Sequence, residues 1–191
     1  MANWRWIIKK SSFVIKDKGS VFIDPKAKIG DNVILCQNVQ IEGESVIGEN
    51  VTVYPNTCIS NSIIGKGCKI YSSIIEKTVT GSCCLIGPFA HLKKGTILGG
   101  HVFVGPFSVL KNVEVGNYSK VLGSSQIVNA NIGENVCVQQ GAMFLSESEE
   151  KKSIVDDGIV IGAGAKIIAP IKIKSKTVIQ PNDVVFKWIK N

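Results

Sequence analysis

The sequence predicts an all-β fold, a single-stranded parallel β-helix built from hexapeptide repeats, with short terminal caps and one excursion loop. Three observations carry that prediction. An aliphatic residue recurs at every sixth position, a small or branched residue stands four places after each one, and turn-forming residues fill the gaps.

The period is strict from Ile23: Ile29, Leu35, Ile41, Ile47, Val53 and Ile59 follow at an unbroken interval. On an α-helix six residues turn through ~600°, which spreads these side chains over three directions and leaves no coherent apolar face. Ala27, Val33, Val39, Ser45, Val51 and Thr57 are the second inward positions, as alternation on a short strand requires. Pro25, Asp31, Asn32, Asn38, Gly43, Asn50, Pro55 and Asn56 lie between them, residues suited to fixed or left-handed backbone angles at corners. Each hexad therefore makes one flat side and one corner, and the pattern resembles the left-handed parallel β-helix, in which three hexads close one triangular coil.

Taken in order, residues 1–20 form an N-terminal cap, with Trp4, Ile7 and Ile8 at i, i+3, i+4 spacing followed by Phe13, Val14 and Ile15. The β-helix domain spans 21–185. One-residue slips fall at Ile59 to Ile64, Leu110 to Val115 and Ile127 to Ile132, and Ser72 to Leu85 is the least regular stretch, with room for a bulge or a missing corner. A charged excursion over 146–158 interrupts the hexads before Ile161, Ile167, Ile173, Ile179 and Val185 restore them. Residues 186–191, with Trp188, form a C-terminal cap, because an uncovered end coil would offer unpaired edge groups; Trp188→Ala is expected to loosen the last coil.

Composition bounds the function. The chain has 191 residues, 45% hydrophobic and 19% charged, enough for one domain with a substantial core. The net charge is +7, yet Arg5 is the sole arginine, so phosphate recognition falls to lysines or backbone N–H groups. The lysines are scattered and not interleaved with aromatics, which argues against nucleic acid as a partner. No apolar run approaches the ~20 residues that span a bilayer, so no membrane partner is expected. Six cysteines without CxxC pairing and without a secretory leader read as reduced thiols, and the expected location is the cytoplasm.

The chemistry-bearing residues come in a recognisable order: Ile86-Gly87-Pro88-Phe89-Ala90-x-Leu92, Gly105-x-Phe107, Lys111, Gly116, Ser119-Lys120, Ile132-Gly133-Glu134-Asn135-Val136, Gly141 and Ala169-Pro170. This run resembles the C-terminal acetyltransferase domain of the bifunctional bacterial enzyme that makes UDP-N-acetylglucosamine, the glucosamine-1-phosphate acetyltransferase/N-acetylglucosamine-1-phosphate uridyltransferase, without its uridyltransferase domain. The match is nearly collinear from Asp24 to Val185. The resemblance implies a homotrimer that binds a sugar phosphate, with Lys93, Lys111 and Gln126 as the sugar-phosphate positions. It also implies acetyl-CoA as a possible co-substrate, held at Gln140, Ala163 and Pro181. Lys166, Lys172, Lys174 and Lys176 fall where the family places the donor's phosphates.

The same comparison removes the expected base. The family's catalytic histidine falls on Gly123, which cannot take a proton, its sugar-contacting tyrosine falls on Gln126, and its Asn-Tyr pair falls on Ser146 and Glu147. His91 is two coils below Gln126, ~10 Å at the strand spacing and beyond the ~3 Å that a base serving that position needs. His101 is displaced further around the coil. Two readings follow: a hexapeptide acyltransferase with an altered acceptor or mechanism, or a non-catalytic trimeric module partnering a separate nucleotidyltransferase. A zinc hydratase on this scaffold needs three histidine ligands, the chain has two, and no metal is expected.

Overall fold

The computed structural model describes residues 12–146 and 151–186. Every strand pairs parallel to its equivalent one coil away, and the chain winds left-handed into a three-sided solenoid. One side, here called face one, is a ladder of nine rungs from Val14–Ile15 to Val160–Ile161, extended by a bridge from Ile161 to Ile179. Face two carries Gln40–Glu42, Ile74–Glu76, His91–Lys93 and their equivalents, and face three carries Val46–Ile47, Ile63–Ile64, Val79–Thr80 and theirs.

Both predicted inward sets point into the core: Leu35, Ile41, Val53 and Ile59 are fully enclosed, and so are Val33, Val39, Ser45 and Val51, while Ile23 and Ile29 are half-buried. Each such aliphatic contributes ~1.5–3 kcal/mol through removal from water, so coils add stability in stacked increments. Ser45 tolerates the interior because its hydroxyl donates to the Glu42 carbonyl at 2.6 Å.

The corners follow the sequence as well. Asn32, Asn38, Asn50 and Asn56 all take left-handed φ angles between 55° and 58°. Their side chains stack from coil to coil, Asn38 Nδ2 donating to Asn56 Oδ1 at 3.1 Å and Asn32 Nδ2 to Asn50 Oδ1 at 3.3 Å. Less expected residues share this geometry, among them Phe89, His101, Phe107 and Tyr118.

The irregular stretch is a complete coil in which two sides are each one residue short. Ile70, Ile75, Thr80 and Ile86 mark its inward positions, and Lys69 pairs directly with Leu85. Thr80 replaces the expected aliphatic because its Oγ1 accepts the Gly65 N–H at 3.0 Å. All three anticipated slips are present, with both members of each pair buried.

Two boundaries differ from the sequence expectation. Val14–Ile15, inside the segment expected as a cap, already pairs with Ile34–Leu35 as the first rung. Ser153–Val155, inside the expected excursion, pairs with Ala130–Ile132 as a rung of face three. Lys152 pins the return, its Nζ 2.8 Å from Glu114 Oε1. The Trp4, Ile7 and Ile8 cluster, Glu147 and Trp188 lie outside the described residues.

Candidate functional site

The predicted site residues divide between face two and the corner leading into it. On face two, alternation turns the first and third residues of each strand outward. Lys93 pairs in register with Lys111, so two ammonium-bearing side chains occupy equivalent outward positions on consecutive coils. Both are half-buried. The next coil places Gln126 on the same face, opposite Val109, while Lys111 itself faces Val128. Lys93, Lys111 and Gln126 are thus brought onto three successive rungs, suited to a compact anion with a polar body above it.

The corner holds the other four. Gly123, Gln140, Ala163 and Pro181 succeed one another from coil to coil and line one groove of about 690 Å³. The remaining walls are Pro106, Phe107, Ser124, Gly141, Gly164 and Asn182. These residues include no charged side chain. The backbone ladder is regular there, Ser124 N–H donating to the Pro106 carbonyl at 2.7 Å and Gly141 N–H to that of Gly123 at 3.0 Å. The amide of Ala163 is fixed by the Gln139 side-chain oxygen at 3.0 Å.

The groove exists because an aromatic ladder stops. Phe89 and Phe107 stack at 5.2 Å between ring centroids, both rings largely exposed. The equivalent positions above them are Ser124, Gly141 and Gly164, which supply almost no side chain. A neutral, flat or thread-like ligand portion fits that trough better than an anion.

The backbone crowds Gly123. A Cβ built there would lie 2.9 Å from the Pro106 carbonyl oxygen and 3.3 Å from Pro106 Cδ, so the coil below has closed on the space. Neighbouring Gly105 is equally tight, its Cβ position 2.6 Å from Gly123 N.

Lower on face two, His91 Nε2 lies 2.8 Å from Glu76 Oε2. Ile74 faces His91 across the strands, and Glu76 is two residues further along the lower strand. The thiol of Cys58, one coil further down, is pushed up, first by burial and then by the Glu42 and Glu76 carboxylates. His91 stands two rungs from Gln126, as expected from the repeat lengths. His101 is at the opposite corner, stacked on Tyr118 at 4.9 Å.

The lysines expected to form one phosphate cluster do not do so. Lys166 is on face two, two residues past Gly164 of the groove, whereas Lys172 pairs with Ile154 on face three and Lys174 and Lys176 follow it around the next corner. Their closeness in sequence is spread around the coil because a hexad turns the chain through one side.

Sequence reasoning missed Glu76 as a partner of His91, and it missed the groove walls Phe107, Ser124 and Gly164. Coil-length spacing was the available signal for the walls, since corner residues repeat every 17 or 18 positions except across the excursion.

Residues 13–127 match the family described as "GMPPB C-terminal domain". The chain is 31% identical over 185 residues to bifunctional protein GlmU of Shouchella clausii, covering 96% of this chain and 40% of that protein. It is 34% identical over 173 residues to GlmU of Heliobacterium modesticaldum, covering 90% of this chain and 38% of that protein. The chain therefore spans about two fifths of the length of the curated relatives it matches. Among solved structures, LpxA, a UDP-N-acetylglucosamine acyltransferase from Bacteroides fragilis, aligns at 25% identity and TM-score 0.44, covering 79% of this chain and 68% of that one.

Proposed function

Because this chain belongs to the GMPPB C-terminal domain family and resembles the acetyltransferase domain of GlmU, we propose that it is a hexapeptide-repeat acyltransferase-type protein that holds a sugar phosphate or nucleotide sugar on face two. The observation that carries this reading is the in-register pair Lys93 and Lys111, beside a corner groove lined by all three donor positions. The ammonium groups bind the phosphate as point charges, and Gln126 offers hydrogen bonds to the sugar. Gln140, Ala163 and Pro181 line the channel for an acyl thioester such as acetyl-CoA.

The working unit in this reading is a cytoplasmic homotrimer. An exposed apolar column on face three, Ile63, Val79 and Ile97, with side chains 42 to 49% exposed, supports a contact between copies.

With glycine at position 123, acetylation of glucosamine 1-phosphate by the family's own histidine route does not occur. A thiol-release assay with acetyl-CoA and glucosamine 1-phosphate tests this, with turnover far below that of GlmU expected. Turnover within tenfold of GlmU contradicts it. The closed space above Pro106 also favours a second reading, a non-catalytic trimeric module that presents a sugar phosphate to a separate nucleotidyltransferase. Sugar-phosphate binding without acetyl-CoA binding distinguishes it.

A further inference from the structure

We propose that His91, oriented by Glu76, is the general base for acyl transfer to an acceptor whose phosphate rests on Lys93 and Lys111. The inference rests on the face-two reading above and adds to it a proton acceptor two coils below the position the family uses.

The geometry begins with the His91–Glu76 contact at 2.8 Å. A carboxylate only accepts, so the imidazole donates Nε2–H to it, and Nδ1 is the nitrogen left to take a proton. The pairing fixes the ring orientation and stabilises the imidazolium formed when a proton is taken. Neither side chain is sealed off, His91 being 29% and Glu76 48% exposed, so an acceptor can reach the ring.

The surroundings select the acceptor. Lys93 is two residues along the same strand from His91, about 7 Å at the strand rise, and Lys111 is directly above Lys93. A small phosphorylated acceptor anchored on those lysines spans that distance and lays a hydroxyl or amine against His91. The two-coil separation from Gln126 excludes His91 as a base for a group held at Gln126 and does not apply to a group held at Lys93. The donor groove ends at Phe107, stacked on Phe89, and Phe89 immediately precedes Ala90 and His91. A thioester leaving the lower end of the groove therefore has one coil to cross.

The step balances with an acyl thioester as donor. His91 Nδ1 takes the proton of the acceptor hydroxyl or neutral amine as its oxygen or nitrogen bonds to the acyl carbon. The C–S bond breaks as the tetrahedral adduct collapses, and the departing sulfur receives that proton from the imidazolium. The products are the acylated acceptor and free thiol, and His91 returns to its neutral form.

The titratable groups facing His91 are Glu76 on the strand below, Lys93 on its own strand, Lys111 on the strand above, and Cys58 beyond Ile74.

The experiment is thiol release by the full chain from acetyl-CoA, with glucosamine 1-phosphate, N-acetylglucosamine 1-phosphate and glucose 1-phosphate as acceptors, followed from pH 5.5 to 9. His91→Asn is expected to lower kcat/KM by 10² to 10⁴-fold, and His91→Ala to regain rate with added imidazole. Glu76→Gln is expected to lower kcat with little change in the KM for the acceptor, because the carboxylate that holds the ring 2.8 Å away is replaced by an amide that need not keep Nε2 as the donor. His101→Asn leaves the rate unchanged. Transfer that survives His91→Asn, or a kcat unmoved by Glu76→Gln, overturns the assignment. Absence of transfer with all three acceptors also overturns it, and sugar-phosphate binding measured in the same samples then shows whether the face-two reading still stands.

Discussion

Lys93 and Lys111 sit at the same register on consecutive coils of face two, one strand spacing apart. Two cationic side chains on the same side of one face attract an anion placed between them. Lys93→Ala or Lys111→Ala is expected to weaken sugar-phosphate binding about tenfold or more, and raised salt is expected to weaken the wild type in parallel. Lys93→Arg, which offers a planar fork, is expected to tighten it. Titration calorimetry at two ionic strengths checks all three.

Gly123→His supplies an imidazole but also a Cβ 2.9 Å from the Pro106 carbonyl oxygen. The expected result is a destabilised protein, by roughly 1–3 kcal/mol, with no recovery of family-like turnover. Denaturant unfolding and the thiol-release assay measure the two effects separately.

Ser124→Phe completes the interrupted ladder. Phe89, Phe107 and Ser124 share φ angles of 57° to 58°, so this corner already accepts phenylalanine twice. The substitution is expected to leave stability nearly unchanged and to block the groove, abolishing acetyl-CoA binding while sugar-phosphate affinity on face two persists. Binding of acetyl-CoA at wild-type affinity would remove the groove from the account.

Much of this fold was legible because it rests on a short, strict period. Ile23 to Ile59 fixes sides, corners and inward residues with no long-range information, and the slips at Ile64, Val115 and Ile132 change only the count. The irregular coil was illegible because Thr80 occupies an aliphatic position and is tolerated through a hydrogen bond to Gly65, a contact between coils that periodicity does not carry. The same limit applies at the site. The alignment of Gly123, Gln140, Ala163 and Pro181 along one groove follows from coil lengths, whereas the Glu76–His91 pair depends on where two side chains lean.

Face three tests the assembly. Ile97→Lys puts a charge into the exposed Ile63–Val79–Ile97 column without touching the core. Sedimentation is expected to show trimer for the wild type and dissociation for the variant, with unchanged circular dichroism.

Thiol chemistry tests the interior. Cys68 and Cys84 are inward on consecutive coils, the Cys84 amide donating to Cys68 Sγ at 3.3 Å, and Cys83 beside them is exposed. A bond between the two thiols, with Cys84 as donor, pulls the Cys68 thiol below its ordinary range, while the same thiol–thiol bond and burial push Cys84 up. A thiol reagent is expected to modify Cys83 within the mixing period and to reach Cys68 and Cys84 at the unfolding rate, because access governs the buried pair even where ionisation favours reaction.

The most direct measurement is calorimetric titration of glucosamine 1-phosphate into the wild-type chain and into the Lys93→Ala/Lys111→Ala double variant. The account predicts saturable binding to the wild type and none to the double variant, with both proteins equally folded. Equal affinity for the two proteins, or no binding to either, would contradict it.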